Sequence, residues 1–168
     1  VAGAAVDGET LLIETAERCT PWGKKQKQTV VVRRPDESGG EVKGGAERWR
    51  QMLSVLLDNA LQHAPSGTGV ILTAARKKNR LEIEVIDHGQ GVAEEDKDRI
   101  FERFYRADKS RTGKKHFGLG LSVAKELAEL HKGSLSVSDT PGGGATFRLV
   151  LPLEAKKPPK PAESEKAD

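Results

Sequence analysis

The chain has 168 residues, 36% of them hydrophobic, which is enough apolar side chain for one core and too little for two. Its 28 basic and 25 acidic residues nearly cancel to a net charge of +3, so charge alone gives no sign of nucleic-acid binding and leaves a polyanionic ligand open. The single Cys19 excludes an internal disulfide, and no apolar run reaches the roughly 18 residues that a membrane helix needs.

Val1 is not a methionine, and the first residues have neither the basic start nor the long apolar stretch of a signal peptide, so the chain reads as a fragment of a longer protein. From Val6, the residues Leu11, Leu12, Ile13 and Ala16 predict a helix that stops before Pro21, and 29–32 is a β-branched run that predicts a strand. Gly39, Gly40, Gly44 and Gly45 mark turns around a weak strand. A stronger helix follows over 46–64, where Trp49, Leu53, Leu56, Leu57, Ala60 and Ala64 recur at helical spacing and Pro65 supplies the stop. Strands 70–75 and 81–86 form an antiparallel hairpin across the polar turn 76–80. The glycine-punctuated, charged stretch 88–117 has one helical patch around Ile100, Phe101 and Phe104, and so long a loop in a compact domain is usually a functional lid. Gly118 opens a helix bearing Leu119, Val123, Leu127 and Leu130. Strands 134–138 and 145–151 then meet through Pro141, Gly142, Gly143 and Gly144. Residues 1–153 read as one α/β domain, a two-layer sandwich with helices on one sheet face. Residues 154–168, rich in Lys, Pro and Glu, read as a disordered tail.

Three clusters carry possible chemistry. On the helix 46–64, Val55, Asn59, Gln62 and His63 lie three or four residues apart and share one face. The amide oxygen of Asn59 is a hard ligand suited to Mg²⁺, although a helical Asn is more often a solvated surface residue. Asp87 is in phase with Leu81, Ile83 and Val85, so its carboxylate shares their apolar face and needs a donor there. The exocyclic amino group of adenine is such a donor, and Gly89 and Gly91 would let backbone approach the base; an Asx turn fits Asp87-His88-Gly89 equally well. Gly118-Leu119-Gly120-Leu121 open a helix whose free N–H groups suit a phosphate, just after the cationic residues Arg103, Arg106, Lys109, Arg111, Lys114 and Lys115. A solvated basic loop beside a close-packed helix explains those residues as well. Gly142 to Phe147 could also approach a nucleotide, though a plain hairpin is the simpler reading.

Taken in order, the stretch 50–60 with Asn59, then Asp87-His88-Gly89-Gln90-Gly91, then Ile100-Phe101-Glu102-Arg103-Phe104-Tyr105-Arg106, then Gly118-Leu119-Gly120-Leu121 resemble the N, G1, F and G2 boxes of bacterial sensor histidine kinases. The resemblance extends from about Val6 to Leu153. It implies the Bergerat ATP-binding sandwich shared with gyrase-like ATPases: a mixed, mostly antiparallel sheet, helices on one face and a mobile ATP lid. It implies ATP and Mg²⁺ as ligands, with Asn59 holding the metal, Asp87 bonding adenine, Gly118 and Gly120 cradling phosphates and Arg106 neutralising the γ-phosphate. Asn59 and Arg106 would be the catalytic pair. Gln62, His63, Gly89, Gly91, Val92, Lys115, Leu119, Leu121 and Thr146 would complete the nucleotide site. Phe101, Phe104 and Tyr105 would anchor the lid or dock the acceptor domain, unless they fill this domain's own core.

Two departures matter. Gln62 stands where the family often has Lys or Arg, and Val55 stands where related hydrolases place a water-activating Glu and many kinases an Asn. Valine can do neither job, which favours transfer to a protein acceptor over hydrolysis. His63, His88, His116 and His131 all lack the acceptor's H-E/D-x-x-x-P context, so the phosphorylated histidine is expected on a separate dimerisation domain. The expected activity is protein-histidine kinase, inert towards itself without that domain, with onward relay to the receiver domain of a response regulator. An ATPase and a non-catalytic nucleotide-binding module are the alternatives. The domain is expected to be monomeric and cytoplasmic, without membrane or nucleic-acid contact, the basic residues lacking interleaved aromatics and a reader motif. A membrane anchor elsewhere in the parent protein stays open.

Overall fold

The computed structural model describes residues 8–24, 27–33, 46–102 and 120–153. The expected weak strand near Gly39 to Gly45 and the expected tail 154–168 lie outside them. Helix α1, Gly8–Lys24, buries Leu11, Leu12, Ala16 and Cys19 on one stripe. It runs through Pro21 instead of stopping before it. Proline removes one helical N–H, but here it sits only a turn from the end, where Trp22 packs against the core and the Gly23 carbonyl accepts from the Gln28 N–H. Tertiary contacts thus carry the last turn past a local breaker.

Strand β1, Thr29–Arg33, leads to helix α2, Ala46–His63. Helix α2 buries Trp49, Met52, Leu53, Leu56, Leu57 and Ala60, the apolar stripe read from its spacing, and ends before Pro65 as expected. Strands β2, Gly69–Lys77, and β3, Arg80–Ile86, form the predicted hairpin, each longer than the apolar run that announced it. Helix α3 is Leu121–Leu130, followed by β4, Ser134–Asp139, and β5, Ala145–Pro152. The sheet order is β1-β2-β3-β5-β4, with β1 parallel to β2 and every other neighbour antiparallel.

Burial alternates along β2 and β3, so Val70, Leu72, Ala74, Leu81, Ile83 and Val85 face one side. Phe147, Leu149 and Leu151 of β5 join them, and the three helices cover that side. The other side carries charge pairs: Arg148 reaches Glu84 Oε2 through Nε at 3.0 Å and Nη2 at 2.6 Å. Two layers with helices on one face is the architecture that the sequence implied. The interior is closed by side chains such as Leu57 and Phe147, whose truncation to Ala would cost roughly 2 to 5 kcal/mol each.

Candidate functional site

Asp87 follows directly on β3 and is 2% exposed. Its backbone N–H donates to the Ala145 carbonyl at 3.0 Å, which carries the β3–β5 ladder one residue beyond the strand. Its Oδ1 accepts from the Gly89 N–H at 2.8 Å and from the Ala145 N–H at 3.2 Å. The Asx turn and the inward-facing carboxylate are therefore both real. Among the described residues Oδ2 makes no hydrogen bond, so a buried carboxylate is pinned by one oxygen and offers the other.

Three glycines explain how the chain crowds around it. A Cβ on Gly89 would stand 2.2 Å from the His63 carbonyl oxygen and 3.3 Å from Asp87 Oδ1, so this glycine lets the loop after β3 lie against the end of α2. Gly144, at φ +118, would put a Cβ 2.0 Å from the Asp87 carbonyl oxygen. Gly91, at φ +80, faces the Gly144 carbonyl. Only glycine adopts such angles without strain. The turn 142–144 closes the β4–β5 hairpin, as the simpler reading had it, and its last residue, Gly144, also stands behind Asp87. Sequence reasoning offered 142–147 as a segment that could approach a nucleotide but did not foresee the Ala145 N–H on Asp87, a contact that spans 58 residues.

The α2 cluster is graded by depth. Val55 is buried in the core, Asn59 is half-buried, and Gln62 and His63 are exposed at the last turn. Val55 therefore belongs to packing and not to a pocket lining. The Asn59 side chain makes no hydrogen bond among the described residues, while its backbone carbonyl accepts from His63 Nδ1 at 2.9 Å. A carbonyl can only accept, so Nδ1 carries the proton and Nε2 of a neutral ring is left as an acceptor. Gln62 Nε2 donates to Asp58 Oδ2 at 2.8 Å, which ties part of its amide to its own helix. Beneath this stretch, burial pushes the Cys19 thiol up to about 12, with the Asp58 carboxylate adding to the shift and a Ser54 contact opposing it.

Helix α3 starts at Leu121 with Gly120 as its cap, not at Gly118. Gly120 supplies no capping side chain and a Cβ there would meet nothing within 4 Å, so among the described residues no side chain caps the first turn, which suits an anion. Val92 and Leu121 pack at the edge of the core. Thr146 departs from expectation. It pairs with Ile86, one residue out of phase with Asp87, and its hydroxyl meets that of Thr140 at 2.9 Å. Strand alternation therefore turns it to the other sheet face. Arg106, Lys115, Gly118 and Leu119 lie outside the described residues.

Phe101 packs within this domain. It closes a single-turn segment Arg99–Phe101, sets its ring edge-on to Phe147 at 6.2 Å between centroids, and carries Lys125 Nζ at 4.9 Å over its face. It packs, partly buried, against this domain's own core. The preceding turn Glu94–Asp96 is tethered too, because Lys97 Nζ lies 2.7 Å from Glu94 and 3.0 Å from Asp139. Phe104 and Tyr105 lie outside the described residues. Among those residues no cluster of His, Cys, Asp and Glu could hold a metal, and no helix is long and apolar enough to cross a membrane.

The site's parts are thus an acceptor at the end of β3, an amide on α2 and an uncapped α3. The family model described as histidine kinase-, DNA gyrase B- and HSP90-like ATPase matches residues 44–155 and covers all three. The sensor-like histidine kinase SenX3 of Mycolicibacterium smegmatis is 34% identical over 151 residues, 88% of this chain and 38% of SenX3. The chain thus spans well under half the length of that curated relative. The crystal structure of full-length ShkA in complex with AMPPNP matches with a TM-score of 0.78 at 30% identity, over 95% of this chain and 33% of that one. A mycobacterial sensor histidine kinase, MprB, shares the fold with a TM-score of 0.75 at 23% identity, over 91% of this chain and 99% of that one. The chain therefore belongs to the histidine kinase-, DNA gyrase B- and HSP90-like ATPase family, as a domain of the kind that sensor histidine kinases carry.

Proposed function

We propose that this domain binds ATP with Mg²⁺ and donates the γ-phosphoryl group to a histidine on a separate dimerisation domain of the same kinase. The observation that carries the reading is the Asp87 carboxylate, buried with Oδ1 bonded and Oδ2 open, against the end of the helix that bears Asn59. A buried acceptor of this kind is stabilised by a donor such as the adenine amino group, and guanine presents a carbonyl there instead. Asn59 fits Mg²⁺ because its amide oxygen is a hard ligand with no hydrogen bond among the described residues, and a bound ion would neutralise phosphate charge. The uncapped first turn of α3, with Gly120 and Leu121, suits the phosphates. Arg106, Lys115, Gly118 and Leu119 complete the phosphate side in this reading, and His63 flanks the base.

The chain's contribution to transfer is positioning and charge balance, since loose phosphoryl-transfer transition states ask little covalent chemistry of the protein. The P–N bond forms on the acceptor imidazole as the bond to the ADP oxygen breaks. Val55, buried and apolar, supplies no base to a water on the Asn59 face, which counts against hydrolysis. The phosphoryl group then passes to an aspartate of a response regulator receiver domain. Cytoplasmic placement of the domain follows from its dependence on ATP.

The test is reconstitution. Mixed with a dimerisation domain bearing its histidine, γ-labelled ATP and Mg²⁺, the domain is expected to label that histidine. Release of phosphate without acceptor labels it an ATPase instead, and nucleotide binding with neither reaction makes it a sensing module.

A further inference from the structure

Gln28 is 5% exposed and precedes β1. Its side-chain amide nitrogen donates to the carbonyls of Leu61 and Ala64, both at 2.8 Å. These are among the carbonyls that a helix leaves unsatisfied where it ends, and Pro65 prevents the chain from continuing to satisfy them. Many helices use a glycine and its backbone for this purpose; here a side chain 33 and 36 residues away does it. Three local features serve the arrangement. Lys27 adopts φ 59, turning the chain between α1 and β1, and the Gln28 N–H donates to the Gly23 carbonyl at 2.9 Å. A Cβ on Gly23 would stand 2.9 Å from the Gln28 Cβ, so glycine makes the room.

The geometry points to Gln28 as a positioning residue for the phosphate and metal side of the site, acting through the last turn of α2. That turn runs from Asn59 to His63, and its end lies against Gly89. With both carbonyls held, the turn resists fraying, and the backbone that carries the Asn59 side chain keeps its place. The inference rests on the nucleotide reading given above, in which Asn59 meets Mg²⁺. Asp87 is also held by Ala145 on β5, through its own N–H and through Oδ1, away from α2, so loss of the Gln28 bonds reaches the metal side first.

Gln28→Met keeps the side-chain length and removes both donors. The affinity for a non-hydrolysable ATP analogue is measured by calorimetry with Mg²⁺ and with EDTA, below the unfolding range of both proteins. The variant is expected to lose roughly fivefold in the Mg²⁺ arm, the loss expected for about one net hydrogen bond, and to stay within about twofold in the EDTA arm. Equal losses in both arms make Gln28 merely structural and overturn the proposal, as does no loss in either. A wild type that gains nothing from Mg²⁺ sinks the Asn59 reading itself, a distinguishable result. Should the variant fail to fold, proton exchange in the wild-type chain decides. The Gln28 side-chain amide is expected to exchange more slowly than that of the exposed Gln90, and equal rates overturn the cap.

Discussion

The two sides of the candidate site are built differently. Around Asp87 the protein is finished before any ligand arrives: the carboxylate is buried, three backbone segments touch, and two N–H groups hold one oxygen. Around Asn59 the side chains are half-buried or exposed, and the informative amide has no hydrogen bond among the described residues. The first side resembles a preformed socket and the second a set of donors and acceptors on a helix end. In the proposed reading, base selection is then a property of the fold, while the phosphate side depends on what holds the last turn of α2 still.

The sharpest way to break that contrast is at Gly144. Gly144→Ala places a methyl 2.0 Å from the Asp87 carbonyl at a φ that L side chains avoid, so it should cost at least roughly 3 kcal/mol of stability and abolish detectable nucleotide binding. Thermal unfolding and calorimetry check both; a variant of wild-type stability would show the Gly144 contact to be yielding. Asp87→Asn keeps the shape and exchanges an acceptor for a donor. It should weaken ATP-analogue binding by roughly 1 to 3 kcal/mol, and unchanged affinity in calorimetry would remove Asp87 from the site.

A smaller effect reports on the support beneath α2. The unfolded chain releases the Cys19 thiol proton near 9.0 and the folded chain holds it to about 12, because burial disfavours the thiolate. Between those values the unfolded state binds fewer protons, so stability falls as pH rises through the window. Urea unfolding at pH 8 and pH 10.5 should show a loss about 1 to 2 kcal/mol greater for wild type than for Cys19→Ala. Equal pH dependence would place Cys19 in contact with water. The smallest effect is expected at Asn59: Asn59→Ala should change stability by no more than about 0.5 kcal/mol while removing the Mg²⁺ enhancement of nucleotide binding. A large stability loss would make Asn59 a packing residue.

Periodicity made the fold legible. The α2 stripe from Trp49 to Ala60, the alternation of Leu81, Ile83 and Val85, and the stops at Pro65 and the 142–144 turn announced the elements nearly to their ends. Pro21 misled because a local breaker was outweighed by the packing of Trp22, which no local pattern encodes. Among the candidate site residues, the inward-facing position of Asp87 was legible through its phase on β3, and the place of Asn59 beside the apolar stripe through helical spacing. Thr146 was not, since the spacing of a turn does not say which sheet face its second strand residue takes, and one residue of phase turns it away. Gly144, the Ala145 N–H and Gln28 act through contacts between distant segments, so they became visible only with the fold.

The claim that one adenine nucleotide joins these segments is tested most directly by following backbone amide resonances while an ATP analogue with Mg²⁺ is added. The account predicts that Asp87, Gly89, Gly91 and Ala145 shift together with residues 59–63 and with the first turn of α3, at a single affinity. Shifts confined to Thr73, Glu84 and Arg148 on the opposite sheet face, or none at either segment, would contradict it.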